Sequence, residues 1–188
     1  MQYLHTFNPK PTTAHMTAIQ TVAEQQTHTP KSLLKTIAWV GLLAGSLDIL
    51  SACLQAYIAR GTSPVVILRF IASAAVGKVA FTAGWQMPLL GLLFHFIIAY
   101  SFTVLFFLVY PSIKFLSKNI LVTAVVYGIF IYVVTNMLLL PLTKLPAIPF
   151  HFDKALIATA ILIVAIGLPL SFFARQFYRN SSNTNQVL

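Results

Sequence analysis

Four stretches of roughly 20 residues (37–59, 88–110, 120–140 and 155–173) contain a single charged side chain between them, Asp48. A helix rises 1.5 Å per residue, so each stretch reaches or nearly reaches across a hydrocarbon layer about 30 Å thick. Without water, the backbone N–H and C=O groups of such a run must satisfy one another, which a helix does internally. Composition agrees: the 188 residues are 58% hydrophobic and 8% charged, where a soluble domain carries about 25% charged residues. Too few charges remain to cover a water-soluble surface. The expected fold class is therefore all-α, an integral membrane four-helix bundle, with the lipid bilayer as its first partner.

Local signals set the boundaries. Pro88 stands in the first turn of the second run, where a missing N–H does no harm, and Pro141 stops the third. Pro169, near the end of the short fourth run, predicts either a kink or an earlier start. Trp39, Tyr57, Trp85, Tyr110, Phe150, Phe152 and Tyr178 fall near the expected interfaces, as an aromatic belt does. Segment 64–84 is apolar and helical in pattern but holds Arg69 and Lys78, and a charge at a helix centre costs about 2.5–3.5 kcal/mol on insertion scales. It is expected as an extra membrane-associated or re-entrant helix between spans 1 and 2. A full fifth span is the alternative, and parity decides where the C-terminus lies. Residues 33–179 then form the helical membrane domain. Residues 1–32, polar and lacking the apolar core of a signal peptide, read as a disordered cytoplasmic tail, and 180–188 as a polar C-terminal tail.

The net charge of +9 would suit an anionic partner. Nucleic-acid binders gather basic residues on one face, whereas here they stand in ones and twos at the ends of apolar runs, so no nucleic acid is expected. With the N-terminus inside, the cytoplasmic side holds Lys10, Lys31, Lys35, Lys114, Lys118, Arg175 and Arg179. The other side holds Arg60, Lys144 and Lys154, plus Arg69 and Lys78 if the extra segment lies there. The bias favours both termini inside. The lone cysteine, Cys53, can form no intrachain disulfide.

On the first run, Gly41, Gly45, Asp48, Ala52, Gln55 and Ala59 share a stripe at spacings of three and four. Gly41 and Gly45 make a G-x-x-x-G pair that permits close backbone approach, and Asp48 lies roughly 16 Å from either end of the run. An unpaired carboxylate at that depth is costly, so Asp48 is expected to be protonated or paired. Arg69 is one candidate partner, on a stripe with Ser73, Gly77, Ala80 and Gly84; Lys78, half a rotation away, is expected to snorkel. His95 is the other, at similar depth, with Gly91 one turn before it leaving room for a neighbour. Asp48, Arg69 and His95 form the candidate polar centre, either a path for a proton or solute or a clasp fixing helix register. Tyr100, Tyr127, Tyr132, Thr135 and Asn136 would extend it, though each alone reads more readily as packing. Gly41, Gly45, Gly77, Gly84 and Gly91 are the candidate helix-packing positions. His151 and Asp153 form an H-x-D too sparse for a metal site. No metal or cofactor is expected, and with no H-E-x-x-H, G-x-S-x-G or phosphate-binding glycine loop the chain is not expected to be an enzyme.

The stretches G-L-L-A-G-S-L-D-I-L (41–50), R-F-I-A-S-A-A-V-G-K-V-A-F (69–81) and G-L-L-F-H-F-I-I-A (91–99) resemble small bacterial membrane proteins of unknown function, similar in general plan to the YagU-like inner-membrane proteins. The resemblance covers about residues 41–141. It implies a multi-pass protein of the bacterial cytoplasmic membrane, in which Asp48, Gly77, Phe81, Gly91 and His95 match motif positions, and it implies no activity. Beside Lys78, where the pattern leads one to expect an acid, this chain has Val79, which removes an ion pair. Two functions suit these features: proton or small-solute transport by a homo-oligomer around Asp48 and His95, or an accessory role in which the Gly41/Gly45 face binds other membrane proteins.

Overall fold

The computed structural model describes residues 13–113, 118–143 and 151–184, with side chains over 32–113, 118–143 and 151–179. The side chains of Lys10, Lys31, Lys114, Lys144 and Phe150, singled out above, lie outside the described residues. The chain divides into two units, Met1–Lys35 and Thr36–Leu188. In the first, the described backbone is helical from Thr13 onward, within the segment read from sequence as a disordered tail; no glycine or proline falls between Pro11 and Pro30 to interrupt it.

The elements are α1 (Thr13–Arg60), α2 (Pro64–Val76), α3 (Val79–Thr82), α4 (Gln86–Val109), α5 (Ile120–Val133), α6 (Phe152–Leu162) and α7 (Leu168–Thr184), with no strand among the described residues. Four helical stretches are long and apolar enough to cross a membrane: Ser32–Arg60, Gln86–Ser112, Ile120–Leu142 and Phe152–Arg179. The chain is a multi-pass membrane protein. Only 28–33% of each apolar window is buried inside the chain, so lipid or further protein must cover the rest.

Two prolines shape the later spans. Pro169 has no N–H to offer the carbonyl four residues back, and its ring crowds that carbonyl. The helix answers with a π-helical turn, Ile163–Gly167, in which Leu168 N–H donates to the Ile163 carbonyl. Ahead of Pro141 the same solution appears as the π turn Val134–Leu139, where Leu140 N–H donates to the Thr135 carbonyl. The expected stop and kink are thus absorbed by wider turns, a known way to re-satisfy backbone groups around proline.

Neighbouring spans run antiparallel. Contacts pass along α1 from Ala38 to Gly45 while they pass along α4 from Tyr100 to His95. Rings pair α4 with α5 in the opposite sense too, Phe106 with Tyr127 and Phe102 with Phe130. Gly128 meets Ile163 and Gly167 meets Ala124, which sets α5 antiparallel to the last span. Because α1 and α4 cross in opposite directions, the intervening segment starts and finishes on one side. It is an excursion, as expected, and not a fifth span. Its helix α2, 13 residues or about 20 Å long, is also too short to cross.

That segment is not one helix over 64–84. α1 ends in a left-handed glycine cap, with Gly61 at φ 64° and Gly61 N–H and Thr62 N–H on the Tyr57 and Ala56 carbonyls. Pro64 starts α2 at its first position. Gly77, at φ 72°, then takes the chain out of the helix at a conformation that residues with a Cβ rarely adopt. Gly77 therefore acts as a helix terminator.

Close approach occurs at other glycines. A Cβ on Gly91 would stand 1.9 Å from the Leu68 carbonyl oxygen of α2, and one on Gly167 would stand 2.4 Å from that of Ala124 on α5. One on Gly84 would meet only the flexible Gln86 side chain, so Gly84 is corrected from the packing positions. Gly91→Ala and Gly167→Ala should each lower stability by about 1–3 kcal/mol, the cost of overpacking against a rigid neighbour, while Gly84→Ala changes little; thermal unfolding in detergent measures the order. The topology has its own check, in a background where Cys53 is replaced by serine. Cysteines placed at Thr62 and Trp85 should react with an impermeant thiol reagent from the same side of sealed vesicles, and one at Arg179 from the opposite side.

Candidate functional site

Helix α4 carries the groups that tie the bundle together. Its buried residues Gly91, Ala99, Phe102, Thr103, Phe106 and Phe107 lie on faces toward different neighbours. Where it crosses α1, the glycines decide the distance. A Cβ on Gly41 would lie 2.6 Å from the Tyr100 ring, and one on Gly45 would lie 3.0 Å from the Phe96 ring and 3.2 Å from the Ala99 methyl. With only hydrogen there, α4 settles closely enough for two side chains to reach the α1 main chain. Tyr100 donates its hydroxyl to the Ala38 carbonyl at 2.9 Å. His95 Nε2 stands 2.8 Å from the Gly45 carbonyl oxygen. A carbonyl can only accept, so Nε2 carries the proton in this bond. The remaining ring nitrogen, Nδ1, makes no hydrogen bond among the described residues.

Asp48 follows Gly45 by one turn on the same stripe of α1. It is half-buried and lies within electrostatic reach of His95, and its carboxyl has no hydrogen bond or ion pair among the described residues. Two of the three expected members of the polar centre are thus neighbours. The third is not part of it. Arg69 Nη1 donates to the carbonyls of Ala80, Phe81 and Ala83 at 3.2, 2.7 and 2.9 Å, and Nη2 to that of Gly84 at 3.5 Å. The reason is local: α3 stops at Thr82 and Ala83 turns extended, so carbonyls around its end lack helical donors, and in a water-poor setting something must replace them. A guanidinium, with five N–H groups and no acceptor, suits a cluster of carbonyls better than it suits one distant carboxylate. Lys78 is exposed, as snorkelling requires.

The residues expected to extend the centre divide. Tyr100 anchors α1 beside it. Tyr127 donates its hydroxyl to the Phe102 carbonyl and stacks with Phe130, so it ties α5 to α4. Asn136 bonds back to Tyr132 within its own helix. The glycine end of the α1 stripe does not face outward: Gly41 and Gly45 are buried under α4, while Ala59 at its other end is exposed. The partner-binding face of the accessory-protein expectation is therefore occupied from within the chain.

Two features were not singled out in the sequence. Gly128 and Gly167, a close crossing between α5 and the last span, sit among unremarkable apolar residues. Tyr178 donates to the Phe107 carbonyl at 2.7 Å and stacks on Tyr110, where sequence suggested only an interfacial ring. Among the described residues no three His, Cys, Asp or Glu gather as metal ligands, and His151 and Asp153 are both exposed.

No protein-family model, curated protein or solved structure matches this chain.

Arg69→Met should remove the guanidinium donors from the Ala80, Phe81 and Ala83 carbonyls and cost on the order of 2 kcal/mol, within the range for hydrogen bonds to charged groups. Arg69→Lys, which keeps the charge but not the planar fork, should recover part of it. Thermal unfolding reads the loss, and faster tryptic cleavage after Lys78 would locate it.

Proposed function

We propose that this chain carries protons, or a small solute moving with them, across a bacterial cytoplasmic membrane, and that Asp48 and His95 are the groups that do it. One observation carries the reading. The Gly45 carbonyl holds the imidazole by Nε2, one turn from a half-buried carboxyl with no hydrogen-bond partner of its own among the described residues. A carboxyl kept at mid-span without a structural bond is expensive, and such groups mark ion and proton pathways by default. Histidine is the side chain whose ordinary titration range brackets neutral pH, so Nδ1 and the Asp48 carboxyl can pass one proton between them while Nε2 stays fixed.

Four spans enclose little space, and most of each span's surface is uncovered. The pathway is therefore completed by further copies of the chain. Arg69 has no part in it, since its donors are committed elsewhere. In this reading both termini face the cytoplasm, as the Lys and Arg bias favours, and the YagU-like resemblance supplies the bacterial setting.

Proteoliposomes loaded with a pH-sensitive dye test it. Wild-type protein should dissipate an imposed proton gradient faster than protein-free vesicles. Asp48→Asn should return the rate to that of empty vesicles. His95→Gln, which keeps a donor for the Gly45 carbonyl but loses the titratable nitrogen, should do the same while the protein stays folded. Equal leak in wild type and both variants would end the proposal.

A further inference from the structure

At the end of the bundle away from Arg60, α4 gives way to a short 3-10 turn, Tyr110–Ser112, and α7 runs out beside it. The Tyr110 and Tyr178 rings stack there with centroids 5.5 Å apart and planes at 15°, and Phe106 leans on Tyr110 from below. Tyr178 spends its hydroxyl on the Phe107 carbonyl. One turn before Tyr178 on the same face of α7 stands Arg175, half-buried and within electrostatic reach of the Tyr110 phenol. Neither the Arg175 guanidinium nor the Tyr110 hydroxyl makes a hydrogen bond or ion pair among the described residues.

The contrast with Arg69 is informative. In the same chain, the arginine of α2 spends its donors on four carbonyls, whereas this one, within electrostatic reach of Tyr110, holds an array of N–H groups with no acceptor among the described residues. The charge is not balanced from elsewhere either. The chain has three acids; of the two described, Asp48 lies in mid-span and Asp153 opens α6 at the opposite end. Arg179, one turn beyond Arg175, and Lys118, before α5, add positive charge at this end, both exposed.

We propose that Arg175 and the Tyr110 hydroxyl form a seat for the phosphate of an anionic phospholipid headgroup. A phosphodiester supplies the acceptor oxygens that a guanidinium fork matches in pairs, and the phenol adds a third donor from the side. The stacked pair Tyr110–Tyr178 gives the seat a rigid wall. A lipid suits it better than free phosphate because apolar surface continues inward from it: Phe172, on the same face one turn before Arg175, is 54% exposed, where an acyl chain would lie. A negative headgroup is favoured over a zwitterionic one because no acid shares this end among the described residues.

Native mass spectrometry of the protein, released from detergent after incubation with equimolar phosphatidylglycerol and phosphatidylcholine of matched acyl chains, tests it. Wild type should retain phosphatidylglycerol in preference. Arg175→Gln should cut that preference about fivefold, the equivalent of one basic side chain near an anionic surface. Tyr110→Phe keeps the ring stack and should cut it by a smaller factor, and Arg179→Gln should leave it nearly intact. If Arg175→Gln does not fold, Tyr110→Phe decides alone, and an unchanged preference there overturns the seat. Equal retention of the two lipids by wild type overturns it as well. Equal losses from Arg175→Gln and Arg179→Gln would show diffuse attraction instead of a seat, and displacement of the lipid by inorganic phosphate would make this a free-anion site.

Discussion

Two α-helices in lipid gain little by burying apolar side chains against each other, because the acyl chains are as apolar as leucine. Association then depends on how closely backbones approach and on which polar groups meet when they do. In this chain α4 settles on α1 where Gly41 and Gly45 have no side chains to hold it off, and that closeness puts the Tyr100 hydroxyl and His95 Nε2 on α1 carbonyls. The same economy recurs around α4. Gly91 admits the α2 backbone, and Tyr127 and Tyr178 reach α4 carbonyls from α5 and α7. Most ties use the second lone pair of a carbonyl already bonded in its helix, so the bundle gains cross-links without unpicking any span; the Phe107 carbonyl, with Pro111 four residues on, instead takes from Tyr178 the donor its helix lacks.

The converse constraint, that a carbonyl deprived of its helical donor must find another, explains the irregular parts. Ahead of Pro141 and Pro169 the spans widen into π turns. Between spans 1 and 2, where α3 stops at Thr82, the freed carbonyls take their donors from Arg69. A charge that seemed too costly for an apolar segment is there because the segment is broken, and it repairs the break. With Arg69 so employed, the polar pair in mid-bundle consists of Asp48 and His95, a smaller group whose members are held by different means: the imidazole by a carbonyl, the carboxyl by the depth of its helix alone.

How much of this could be read in advance follows from the range of each signal. Hydropathy is a property of contiguous sequence, and the spans 37–59, 88–110, 120–140 and 155–173 all fall inside the helical stretches found. The close contacts at Gly41, Gly45 and Gly91 were legible because each glycine lies near a polar side chain that made its helix face conspicuous. Gly128 and Gly167 were missed because their faces are otherwise apolar, and a glycine there looks the same whether it meets lipid or another helix. Arg69 was misassigned for a related reason: spacing along one unbroken helix grouped it with Gly77 and Gly84, and a single residue at positive φ dissolves that grouping.

From residue order alone came the number of crossings and the presence of an acid and a histidine at matching depths, since both depend on rise per residue and on the cost of charge in hydrocarbon. The fold decided which cation the acid would do without, which face of α1 would be covered, and that the excursion between the first two spans returns to its own side. These outcomes depend on which backbone groups become neighbours across the bundle, and carbonyls and N–H groups, being the same in every residue, leave no mark in the sequence of where they will need a partner.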